Sequence, residues 1–77
     1  MNEQIERIES RIDTMELLEC SLRECARLYR DIGDNLGAKI MEDDARDVTD
    51  DITEARLELN CLYMMERDAE ERGRLAV

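Results

Sequence analysis

The apolar residues of this chain recur in alternating steps of three and four. In the first half the series is Ile5, Ile8, Ile12, Met15, Leu22, Ala26 and Tyr29, broken only by Glu19. In the second half it is Met41, Ala45, Val48, Ile52, Ala55, Leu59 and Leu62. Such spacing lays one stripe along an α-helix and defines the seam positions of a heptad repeat. The pattern predicts two helices, the first over about residues 3–32 and the second over about 36–72. Gly73 is the expected stop and 73–77 a frayed tail.

Between the two stripes lies Gly33-Asp34-Asn35-Leu36-Gly37, read as the loop 33–37. Gly33 suits the left-handed position after a helix, and Asp34 or Asn35 can cap the next one through a side-chain oxygen. A short polar loop between two helices sets them antiparallel. The residue numbers offer an internal check, because facing positions in an antiparallel hairpin sum to a constant. Ile8 with Leu62, Ile12 with Leu59, Met15 with Ala55, Leu22 with Val48, Ala26 with Ala45 and Tyr29 with Met41 all sum to 70 or 71. The flanks bring opposite charges together: Arg30 with Glu42, Arg56 with Glu16, Arg11 with Glu58. The expected fold is all-α: a single-domain antiparallel two-helix hairpin, coiled-coil-like.

A two-helix seam leaves apolar residues over. Leu18, Cys25 and Ile32 flank it, and Leu17 and Leu28 lie further out. Leu57, Cys61 and Met64 fall on the outermost face of the second helix, and LELNCLYMM, from Leu57 to Met65, is apolar nearly all round. A helix apolar on several sides is buried on several sides. Leu17, Leu18, Leu57, Cys61, Met64 and Met65 are therefore the expected contact surface for a second copy, giving a homodimeric four-helix bundle, or for a different protein. A dimer joined at the open ends of the hairpins would leave the acidic ends free.

Composition agrees with helices. The chain has 77 residues, 42% of them charged, with no Pro, Trp or Phe and two Tyr. So short a chain buries a limited core and gains from a second copy. The net charge of −10 argues against direct binding to nucleic acid or anionic lipid and favours a protein with a basic surface. No apolar run approaches the length of a membrane span, and the first ten residues carry no signal-peptide pattern, so a cytoplasmic location is expected. Cys20, Cys25 and Cys61 are an odd set without a C-x-x-C spacing, expected as small buried thiols. With no His, a zinc site or a His-assisted nucleophile has no material to build on. No metal or cofactor is expected.

The strongest local feature is EDDARDVTDDITE, residues 42–54, with seven acids and one Arg. Asp43, Asp47, Asp50 and Glu54 share an outer face, about 16 Å long at helical rise, and Asp51 flanks it. Arg23, Arg27 and Arg30 of the first helix are expected near enough to neutralise part of this charge. Like charges four apart destabilise a helix by a few tenths of a kcal/mol per pair, and Asp is a poor mid-helix residue. The excess points to use. Rows of carboxylates can imitate the phosphate backbone, with about one charge per 1.7 Å of duplex. In charge and size the chain is similar to small acidic inhibitors by which phages and mobile elements block restriction or CRISPR machinery. The competing expectation is a helical-hairpin adaptor, like the co-chaperones of secretion systems, binding through its apolar face.

Glu16-x-x-Glu19 and Asp51-x-x-Glu54 lie at matching heights on the two helices. Paired acids on facing helices suit Mg²⁺, which takes oxygen ligands. In this respect the chain resembles the all-α nucleotide pyrophosphatases of the MazG type, which place E-x-x-E and E-x-x-D on antiparallel helices. The resemblance implies a Mg²⁺-dependent hydrolase. The chain lacks the extended acidic signature of that family before its first pair, and no basic or aromatic cluster stands by to hold a nucleotide. A non-catalytic protein-binding module is the expectation carried forward.

Overall fold

The computed structural model describes residues 2–75. It contains two helices, α1 (Glu3–Asp31) and α2 (Asn35–Leu75), packed along each other as an extended hairpin. The molecule measures 67 × 16 × 12 Å, with a radius of gyration of 18.6 Å. A compact chain of this length would have a radius of about 11 Å. Its accessible surface of 6283 Å² exceeds the roughly 4,900 Å² of a globular protein of equal mass. No helix among the described residues is long and apolar enough to cross a membrane.

Every seam position expected from the periodicity is buried or half-buried. Ile5, Ile8, Ile12, Ala26, Ala45, Ile52 and Ala55 are buried. Met15, Leu22, Tyr29, Met41, Val48, Leu59 and Leu62 are half-buried. Ala38 is fully buried as well and extends the seam one step toward the loop. Ile8, Ile12, Ile52 and Ala55 form the centre of the core, with Met15, Val48, Leu59 and Leu62 packed round it. Alanines at 26, 38, 45 and 55, each 3% exposed or less, are the most deeply buried residues of the seam.

The loop is shorter than the turn-forming residues imply. It comprises residues 32–34, and Leu36 and Gly37 already belong to α2. Gly33, at φ +84°, closes α1. Its N–H bonds the Arg30 carbonyl at 3.0 Å and the Asp34 N–H bonds the Tyr29 carbonyl at 2.8 Å, the paired bonds of a Schellman ending. Asp34 also starts α2, its Oδ1 accepting from the Gly37 N–H at 2.9 Å. One residue thus ends one helix and begins the next. At the far end Asn2 caps α1, accepting from the N–H groups of Gln4 and Ile5.

One boundary expectation needs correction. Gly73 does not stop α2, which continues to Leu75. Gly73 keeps a helical backbone, and positive φ occurs among the described residues only at Gly33. Ala76 and Val77 of the expected frayed tail lie outside the described residues. The thiols are corrected too: Cys20, Cys25 and Cys61 are all exposed, because none falls on the seam and a hairpin buries little else.

Candidate functional site

One flank of the hairpin is bridged at regular intervals. Tyr63 donates to Glu9 at 2.7 Å and Arg56 to Glu16 at 2.5 Å. Arg23 donates to the Thr49 hydroxyl at 3.2 Å, and Arg30 pairs with Glu42. The residues advance by seven on α1 and retreat by seven on α2, so each pair of numbers sums to 72. Two of the three charge pairs read from the sequence are rungs of this ladder. Arg11 and Glu58, both exposed, fall on the opposite flank, where no ion pair occurs among the described residues. That flank carries Leu18, Cys25 and Ile32 instead. The Tyr63 hydroxyl is shifted above its ordinary value of 10.0, first by its hydrogen bond to the Glu9 carboxylate, then by desolvation and the charges of Glu9 and Glu66.

Glu19, the polar residue in the α1 stripe, is half-buried and held from two sides. It accepts from the Thr49 hydroxyl and lies 3.9 Å from the Arg23 guanidinium. Thr49 has one proton to give, and the Ala45 carbonyl at 2.9 Å competes for it.

The outer face of α2 carries a second heptad stripe, as regular as the seam. Leu36, Ile40, Asp43, Asp47, Asp50, Glu54, Leu57, Cys61 and Met64 follow in steps of four and three, and all are exposed. The stripe runs apolar, acidic, apolar over about 42 Å. Leu36 is 72% exposed, Leu57 62% and Met64 66%. Leu17, Leu18 and Met65, also expected at a contact surface, are exposed as well, but on other faces. Asp51 is exposed beside the stripe. Leu36 and Ile40 were not among the expected contact residues; extending the four-and-three spacing backwards from Asp43 finds them.

The arginines expected to neutralise the acids do not reach them. Arg23, Arg27 and Arg30 line the bridged flank with Arg46, Glu42 and Thr49, around a shallow groove of about 360 Å³. Asp43, Asp47, Asp50 and Glu54 make no ion pair within 4.0 Å among the described residues. The helical rotation between positions 42 and 43 is the cause: Glu42 turns toward α1, and Asp43 turns outward.

The acids of the pyrophosphatase-like arrangement are dispersed. Glu16 is paired with Arg56, Glu19 with Arg23 and Thr49, and Glu54 stands on the outer stripe. No group of three or more Cys, Asp or Glu among the described residues is placed to share a metal ion. No protein-family model, curated protein or solved structure matches the chain.

Proposed function

We propose that this chain is a non-catalytic protein-binding module, an acidic inhibitor that occupies the basic, nucleic-acid-binding surface of a partner protein. Asp43, Asp47, Asp50 and Glu54 are the contact residues, with Asp51 beside them. One observation carries the proposal: four exposed carboxylates stand on one helix face without an ion-pair partner among the described residues, although Arg27 and Arg46 of the same chain are without one too. Their cost in helix stability is unrelieved within the chain and is relieved by a basic partner. The anti-restriction and anti-CRISPR inhibitors of phages supply the functional type, by likeness of charge and size. We further propose that the chain works as a homodimer of four helices, which covers part of its exposed apolar surface.

The test is capture of a partner from lysate by tagged wild type beside a variant with Asp43, Asp47 and Asp50 changed to Asn and Glu54 to Gln. A nucleic-acid-binding protein held by wild type, and released by the substitutions or by high salt, supports the inhibitor. Retention of the same partner through both changes favours the adaptor reading instead. Its specific support is the exposure of Leu57, Cys61, Met64 and Met65, an apolar contact that salt barely alters.

A further inference from the structure

The groove on the bridged flank is the basic surface of an otherwise acidic molecule. Four of the eleven Lys and Arg residues, Arg23, Arg27, Arg30 and Arg46, line it. Arg27 and Arg46 make no ion pair within 4.0 Å among the described residues, while Glu19 and Glu42 offset two charges by pairing with Arg23 and Arg30. We infer that this groove is the docking site of α2 from a second copy of the chain, which lays its acidic stripe along the arginines, and that the two copies lie parallel.

Charge complementarity names the occupant, and the ladder sets the heights. Rungs summing to 72 place α2 residues 43–54 level with α1 residues 18–29. A parallel second α2 in the groove therefore brings its carboxylates level with Arg23 and Arg27 and within a turn of Arg30. Arg46, which points between the groove and the outer stripe, lies near the two-fold axis and meets the partner's stripe across it. A two-fold axis along the helices repeats the contact in both directions, so both stripes and both grooves are used. An axis across the helices would set stripe against stripe and acid against acid. Because the groove and stripe adjoin across α2, the parallel pair forms a compact four-helix bundle, and the apolar ends of the stripe come to rest on the same flank.

There is a regulatory consequence, which rests on the proposed role of the stripe: the dimer masks the acids, and a basic partner must displace the second copy to reach them.

Sedimentation of the full chain tests this first. The Debye length falls from about 30 Å at 0.01 M salt to about 3 Å at 1 M, so the dimer dissociation constant should rise by roughly tenfold or more between them. Charge exchange tests the pairing. Asp47→Arg with Asp50→Arg, and separately Arg27→Glu with Arg46→Glu, should each abolish the dimer. Mixing the two variants should restore a heterodimer, since both of its contacts are again between opposite charges. Orientation is read with Thr53→Cys and Asn60→Cys, each alone in a chain whose native cysteines are Ser. Both face the proposed axis, so both should form self-disulfides under mild oxidation, whereas an antiparallel pair allows at most one. A monomer at low salt, a dimer indifferent to salt, charge variants that stay dimeric or fail to recombine, or cross-linking at one position only, each overturns the inference. The salt series needs no variant, so a misfolded substitution does not protect it. Partner capture by a chain that stays monomeric sinks this inference alone. A salt-sensitive dimer that captures nothing through its acids sinks the inhibitor alone.

Discussion

The Thr49 hydroxyl donates its hydrogen to the Glu19 carboxylate, tying the one polar residue in the α1 stripe to the facing helix. A single polar seam position fixes register at some expense of stability. Thr49→Val leaves a half-buried carboxylate short of a donor, a loss of about 1 kcal/mol. Glu19→Leu adds apolar burial and should be neutral or stabilising. The double variant should be more stable than Thr49→Val alone, because no orphaned carboxylate remains. Urea midpoints of the four proteins measure the coupling, and strictly additive effects would refute the bond.

How far this could be read beforehand depends on the residue. The seam was legible because Ile, Leu, Val and Met mark it unambiguously, and the numerical constant aligned the helices. Ala38 was not, since alanine is at home inside or outside, and Asn35 and Gly37 beside it carry loop chemistry. Both are absorbed into α2 because Asp34 caps it so early. Thr49 follows Val48 and bears no hydrophobic signal; only its steps of seven from Glu42 and Arg56 reveal the rung. The acidic stripe was legible in full. Its relation to the arginines was not, because helical phase between neighbouring positions decides which carboxylate faces α1. The cysteines misled because the usual burial of free thiols presupposes a core thicker than two helices provide.

Gly37 is needed where it stands. A Cβ there would lie 2.8 Å from Asp34 Oδ2 and 3.0 Å from Tyr29 Cδ1. Alanine gains roughly 0.5–1 kcal/mol of helix propensity but displaces the cap, typically worth about 1 kcal/mol, and crowds the tyrosine. Gly37→Ala should therefore lower the melting temperature. In an Asp34→Ala background, where the cap is already lost, the same substitution should be milder or favourable. An equal penalty in both backgrounds would mean that Asp34 is not what the Cβ meets. Gly33→Ala should cost about 1 kcal/mol through its positive φ, whatever the space around it.

Tyr63 gives stability a dependence on alkaline pH. Its hydroxyl is raised in the folded chain, so the folded state favours the neutral phenol. That contribution is fully present below the unfolded value of 10.0 and is lost as pH rises through the folded value. In a Tyr29→Phe background, absorbance of the phenolate should report a midpoint above 10.0. Glu9→Gln removes the charged acceptor and the repulsion between its carboxylate and the phenolate, so the midpoint should move down. A midpoint indifferent to Glu9 would show that the rung does not persist in solution.

Ala55 and Leu57 are two residues apart and should answer opposite substitutions in opposite ways. Ala55 is 0% exposed at the centre of the core, packed with Ile8, Ile12 and Ile52. Ala55→Leu forces extra atoms into that core and should cost about 1–3 kcal/mol, or drive the helices apart. Leu57 is 62% exposed on the outer stripe. Leu57→Ala should change the unfolding free energy of the dilute monomer by no more than about 0.5 kcal/mol. In the proposed dimer it should instead weaken self-association, because a second copy would cover the apolar ends of the stripe. Thermal unfolding at low and high protein concentration separates the two. An Ala55→Leu variant of undiminished stability would mean the seam is looser than its burial implies, and the close alanine packing would have to be abandoned.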